Sequence, residues 1–271
     1  MKRGQKAFKF FLPLLVIIYD VVMMLFVEGL LANISDLFWY YYVIEAFVYI
    51  IVIGFTYFFI KKLYTKCFPE SASYQIGRVS FCVVLGIFLC MFAWYIIKWR
   101  ILCECFLLNR GTIIPTQDIE TIPEILLLSI HAVFIAPVFE ELTFRYSLSA
   151  YKSARGKMTA MLLIASLFGL LHISSFYTVV GAGIDGVLYG AGFLKTKKLI
   201  VPILMHMGSN ACTTLFGILY SMEVGGITLN DSSSLMYFNN FWLASAVLAA
   251  IFGFLLLNRR NHLNKQVNNK V

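Results

Sequence analysis

The sequence predicts an all-α protein, a polytopic bundle of about eight transmembrane helices with both termini in the cytoplasm. Three observations carry this expectation. Of 271 residues, 60% are hydrophobic and only 13% charged, whereas a soluble domain carries about 25% charged residues and about 45–50% apolar ones. Mean hydropathy is +0.81. A water-soluble globule is thereby excluded. Disorder is excluded too, since it needs low hydrophobicity and high charge, and no persistent a/d seam supports a coiled coil. The apolar residues also cluster in recurring runs joined by short connections, and the basic residues gather on one side of those runs.

The runs fall at residues 8–27, 37–60, 79–99, 124–150, 158–174, 177–194, 199–221 and 240–258. At ~20 residues per span they use most of the chain. The first follows MKRGQKAFK, but it is too long for a signal-peptide core and lacks a small-x-small cleavage site, so it reads as a retained span. Between the third and fourth runs, Cys103 to Pro123 is the longest connection, and Pro115 and Pro123 suit an interfacial or re-entrant piece. In the sixth run Ala182, Gly186 and Gly190 recur every four residues, a small-residue face that lets helix backbones approach closely. The tail beyond Arg260 is polar. The organisation that follows is 1–123, three helices and a loop; 124–221, a catalytic-like membrane core; and 222–271, a last helix and a basic tail.

The net charge of +8 raises the question of nucleic acid. The distribution answers it. With the amino terminus in the cytoplasm, 18 of the 22 Lys and Arg lie on that side: at the amino terminus, at 61–78, 152–157 and 195–198, and in the tail. Lys98, Arg100 and Arg110 fall opposite, and Arg145 lies within a span. This is the asymmetry of a membrane protein, and no nucleic-acid partner is expected. Six scattered cysteines, with Cys103 and Cys105 a lone CxC, signal neither a disulfide framework nor a zinc site. No repeat relates the two halves, so an inverted-repeat transporter has no support.

An ionisable side chain within a span is a functional-site hypothesis by default. Asp20 and Glu45 are single cases that could pair with another helix or face water near a span end, His131 reads as a hydrogen-bonded structural histidine, and Asp185 could equally orient a catalytic histidine or make a structural hydrogen bond. The fourth run is different: His131-Ala-Val-Phe-Ile-Ala-Pro137-Val-Phe-Glu140-Glu141-Leu-Thr-Phe-Arg145. Adjacent carboxylates cannot both stay ionised cheaply in low dielectric, so at least one needs a partner. Glu141 and Arg145 are four apart with the acid on the N-terminal side, the favoured orientation, and a guanidinium fork can hold the carboxylate. Glu140 points about 100° away and has no such partner; burial then makes it the stronger base. Glu141 is thus structural and Glu140 chemical. Pro137 can kink the helix just upstream.

Two further clusters sit on other spans. Phe168-Gly-Leu-Leu-His172 could place a histidine on a water held by Glu140. His206-Met-Gly-Ser-Asn210 puts two neutral donors on one helix face, the equipment a developing oxyanion requires. Counting 1.5 Å per residue from the cytoplasmic ends, Glu140 is ~15 Å deep, His206 ~12 Å and His172 ~22 Å, so the fifth span should start high or tilt.

EELTFR (140–145), FGLLH (168–172) and HMGSN (206–210), in that order on separate spans, resemble the CPBP family. These are the CAAX prenyl endopeptidases and the bacteriocin-processing or self-immunity (Abi) proteins. The stretch from Gly186 to Thr196 and Pro202-Ile-Leu-Met-His206 are also similar, so the resemblance covers roughly residues 124–220. It implies an intramembrane glutamate-dependent endopeptidase without cofactor or metal. Glu140 and His172 would activate water, His206 and Asn210 would form the oxyanion hole, and Glu141, Arg145 and Phe168 would support the site. The implied partners are the bilayer and a peptide or membrane-protein substrate, lipidated or not, with a bacterial plasma membrane as the setting. Two other readings stand beside it. One is a self-immunity or regulatory protein, acting on a bacteriocin system or a sensor kinase without cleavage. The other is a zinc site built from Glu140 and the histidines, against which stands the lack of an HExxH.

Overall fold

A computed structural model describes residues 11, 14–15, 17–19, 21–23, 25–26, 38–67, 76–106, 129–172, 175–221 and 240–268. Asp20 and most of the 103–123 connection lie outside them, as does the Glu45 side chain. The helices are α1 (Phe38–Cys67), α2 (Phe81–Phe106), α3 (Ala136–Tyr146), α4 (Ala154–Leu171), α5 (Phe176–Thr196), α6 (Ile200–Ser221) and α7 (Asn240–Asn268). A π-helical turn, His131–Ile135, leads into α3, and a 3₁₀ turn, Ser147–Ala150, leaves it. The described residues of 11–26 are helical. The fold is all-helical; among the described residues Lys198 alone carries an isolated bridge, and, two residues on, Ile200 N–H donates to the Ile76 carbonyl at 2.9 Å.

Each helix coincides with an apolar run, but α1, α2 and α7 continue past the ends of theirs. Lys, Arg and Asn are adequate helix formers once the chain leaves hydrocarbon, so hydropathy stops before the helix does. This corrects the placement of Lys98. Counted with the basic residues of the opposite side, it is instead a buried side chain in the body of α2, 4% exposed.

Five described helical stretches are long and apolar enough to cross a membrane: Phe47–Cys67, Phe81–Leu102, Ala154–Leu171, Phe176–Thr196 and Phe241–Asn258. Their outer faces carry Phe55, Phe58, Phe81, Phe252 and Phe254 exposed. Apolar surface on this scale is a liability in water and the natural face toward lipid. This is a membrane protein. Ile200–Phe216 of α6 is a shorter apolar stretch.

Small residues set the closest approach. An added Cβ at Gly169 of α4 would lie 2.5 Å from the Val179 carbonyl of α5, and one at Gly186 3.0 Å from Ala165 Cα. The face anticipated at Ala182, Gly186 and Gly190 therefore packs against α4. Ser153 caps α4, its Oγ accepting from Gly156 N–H at 3.0 Å. Ser175 and Thr178 form a reciprocal capping box on α5. The largest buried cluster, including Phe144, Phe168, Tyr189, Phe193 and Ile203, fills the space between α3, α4, α5 and α6.

Candidate active site

The site begins with an interrupted helix. Pro137 has no N–H to give, and Ala136 N–H bonds to the His131 carbonyl, five residues back. The Ala132 carbonyl would pair with residue 136 in an α-helix and with residue 137 in a π-helix, so neither can serve it. Asn210 Nδ2–H of α6 does so, at 2.7 Å. A sequence break on one helix is thus closed by a motif side chain from another, and the π turn that leads into α3 is tied to α6.

One turn on, Arg145 grips Glu141 with Nε–H to Oε2 at 2.7 Å and Nη2–H to Oε1 at 3.3 Å. Both side chains are fully buried. Arg145 Nη1 has no acceptor among the described residues. Aromatic faces surround the guanidinium instead, with Phe168 at 5.2 Å, Tyr189 at 5.7 Å and Phe144 at 6.0 Å from Cζ.

His206 faces both glutamates. Its Nδ1 lies 3.1 Å from Glu141 Oε1, and its Nε2 lies 4.0 Å from Glu140 Oε2. An ionised carboxylate only accepts, so Nδ1 carries the proton donated to Glu141. Tyr189 stacks on the imidazole at 5.0 Å, and Phe168 meets it edge-on at 5.5 Å. The ring has little freedom to turn. Glu140 is different from its neighbour: its side chain is 16% exposed, and Oε2 has no hydrogen-bond partner among the described residues.

His172 caps the C-terminal end of α4 and is exposed. Its Nδ1–H donates to the Phe168 carbonyl at 2.8 Å, which leaves Nε2 as the acceptor of the neutral ring. Phe168, Leu171 and His172 form a wall shared by two cavities. One, about 300 Å³, is bounded by Glu140 and Phe144. The other, about 510 Å³, is bounded by His206 and Asn210 and also by Lys98, Asp185, Tyr189 and Ser209. The contacts of Phe168 with Phe144, at 5.4 Å, and with His206 bring the far part of α4 level with the glutamates, so the greater residue count to His172 does not remove it from the site.

The three motifs therefore converge. His131 stands outside the convergence, its ring edge-on to Tyr49 at 4.9 Å. Among the described residues Asp185 touches no histidine: it holds Lys98 Nζ at 2.5 Å, Trp94 Nε1 at 2.7 Å and Ser209 Oγ at 3.4 Å. Lys98 and Tyr189 were missed from sequence. Lys98 was recoverable, because Trp99, Ile101 and Leu102 continue the apolar run beyond it. Tyr189 had its signal in lying one turn after Asp185 on the same face. Among the described residues, no three His, Cys, Asp or Glu side chains form a group able to hold a metal ion.

Residues 122–212 match the family model described as type II CAAX prenyl endopeptidase Rce1-like, in agreement with the CPBP resemblance drawn from the motifs. The match spans all three of them. No curated protein and no solved structure gives a significant match.

Proposed function

We propose that the protein is an intramembrane, metal-independent endopeptidase that hydrolyses a peptide bond in a membrane-associated or lipidated substrate. The observation that carries this reading is the His206 ring facing both motif glutamates, one held by arginine and one whose Oε2 has no hydrogen-bond partner among the described residues. A general base needs a free lone pair directed at the water it deprotonates, and Glu140 Oε2 has one. The 4.0 Å between it and His206 Nε2 is a span that a bridging water can fill.

In this mechanism Glu140 takes a proton from water as its oxygen attacks the scissile carbonyl carbon, with His172 Nε2 accepting the second water hydrogen bond. The carbonyl oxygen becomes an oxyanion, met by His206 and by the Asn210 amide N–H not used on Ala132. Glu140 then returns the proton to the departing amine as the C–N bond breaks. Because His206 Nδ1–H is committed to Glu141, donation to the oxyanion must come from Nε2–H, that is from the doubly protonated ring. The two flanking carboxylates offset that charge. Glu141, Arg145 and Phe168 hold the ring and Glu140 in place. Eight spans with both termini cytoplasmic, in a bacterial plasma membrane, complete the proposal, and reporter fusions at each connection check the orientation.

Cells carrying wild type and Glu140→Gln should differ in one or a few uncut membrane precursors, which name the substrate. Purified wild-type protein should cut that precursor in the presence of a strong chelator, and Glu140→Gln should not cut it. Cleavage by Glu140→Gln within a few-fold of wild type would end the glutamate mechanism, and loss of cleavage on chelation would end the metal-free one.

A further inference from the structure

The buried Lys98–Asp185 pair has no part in the chemistry above, yet it borders the same cavity as His206 and Asn210. Buried ion pairs are poor sources of stability, since desolvating two charges offsets most of their attraction. Its position is more telling than its strength. Asp185 Oδ1 accepts Trp94 Nε1–H at 2.7 Å, and Oδ2 accepts Lys98 Nζ–H at 2.5 Å and Ser209 Oγ–H at 3.4 Å. Trp94 and Lys98 lie one turn apart on α2, so the carboxylate anchors α5 to α2, and Ser209 brings in α6. Ser209 immediately precedes Asn210, and Asp185 is one turn before Tyr189, the ring stacked on His206. Each candidate oxyanion donor is thus one step from the ion pair, along a different helix.

We propose that Lys98 is a positioning residue: through Asp185 it fixes Ser209 on α6 and Tyr189 on α5, and so aims Asn210 and His206 at the reacting carbonyl. This rests on the endopeptidase reading. Asp185 neutralises the ammonium, and the rings of Trp99 and Tyr95 flank it at 5.1 and 5.7 Å. The wall therefore offers a substrate no net charge, and its contribution is orientation. Lys98 and Trp94 lie outside the matched segment 122–212, so this part of the device belongs to the N-terminal half, which carries no motif.

The test uses the full-length detergent-solubilised protein with a panel of internally quenched lipidated peptides. Alongside, ¹⁵N NMR of labelled histidine rings, assigned by single substitutions, reads His206 whether or not any peptide is cut. Lys98→Met combined with Asp185→Leu removes both charges together. Ser209→Ala removes the hydroxyl through which α6 meets Asp185 and Tyr189 while leaving the ion pair intact, and it keeps the test decisive if the double variant does not fold. A displacement of about 1 Å in a reacting group can cost ~10² in rate. The expected result is a kcat lowered about 10- to 10²-fold with KM within about threefold, shifted His206 ring signals, and partial recovery of kcat in Lys98→Arg. An unchanged kcat or unchanged ring signals would overturn the proposal, including the case in which only the melting temperature falls. If wild type cuts the panel no better than Glu140→Gln, the endopeptidase reading fails separately. The ring signals then decide alone: shifted in Ser209→Ala they retain the positioning role, and unchanged they remove it.

Discussion

Among the described residues, the buried ion pairs Glu141–Arg145 and Lys98–Asp185 are built in opposite ways. Glu141–Arg145 is a pair within one helix, four residues apart, fully enclosed and surrounded by aromatic rings. Lys98–Asp185 joins two helices that are 87 residues apart in sequence, and it borders a cavity of about 510 Å³. The first is made as soon as α3 forms, and tertiary packing then encloses it. The second exists only once α2 and α5 have met. Enclosure makes the loss of a partner costly, whereas a cavity wall tolerates change in its energy but not in its geometry.

The sharpest way to break this contrast is Arg145→Ala. It leaves Glu141 buried in low dielectric with His206 in place of its guanidinium fork, at a cost of about 3–5 kcal/mol, and should lower abundance and thermal stability together. Normal protein levels and an unchanged melting temperature would place the two pairs in one class. Asn210→Ala comes next, because its amide serves both a backbone and a proposed reaction. Removing an oxyanion donor typically costs ~10²–10³ in turnover, about 2.7–4 kcal/mol, while losing the tie to Ala132 should weaken folding by ~1 kcal/mol. Single-turnover cleavage with melting measured alongside separates them, and a normal rate with a lowered melting temperature would reject the oxyanion role.

Lys98→Met sharpens the contrast from the other side. Asp185 keeps Trp94 and Ser209 as donors and borders a cavity, so the stability loss should lie at or below the lower end of about 3–5 kcal/mol, smaller than for Arg145→Ala. Thermal unfolding of the two variants side by side checks the order, and a reversed order would refute it. Tyr189→Phe should do least. The ring that backs His206 and Arg145 remains, so stability should fall by no more than about 1 kcal/mol. A loss as large as that of Arg145→Ala would mean that the hydroxyl, not the ring, supports the site.

The same contrast explains what could be read in advance. Four-residue spacing on one helix is a local property, so the shared face of Glu141 with Arg145, and of His206 with Asn210, is legible in the letters. The all-helical architecture is legible for a similar reason, since each apolar run has to satisfy its own backbone. Partnerships between helices are not. Nothing near Glu141 marks His206 as the ring on its second face, and nothing near Asp185 marks Lys98, which lies at the far end of another apolar run. Gly86 and Gly253 are separated by most of the chain, yet a Cβ on Gly253 would lie 2.9 Å from the Gly86 carbonyl. Such an approach has no signature in either segment.

The π turn ahead of Pro137 amounts to one surplus residue in an otherwise regular helix. An insertion of that kind puts the stretch before it out of phase, by about 100° of rotation, with the stretch that carries Glu140 and Glu141. Deleting any one residue from Ala132 to Ile135 would let the backbone return to ordinary α phase and swing everything upstream around the helix axis, while the carbonyl then four residues before Pro137 would still lack a backbone N–H. A small deletion there would therefore be felt less by the glutamates, which α4, α5 and α6 hold, than by the segment that enters from 129 and 130. That makes this turn a phase-setting joint between the motif-bearing core and the part of the chain that precedes it.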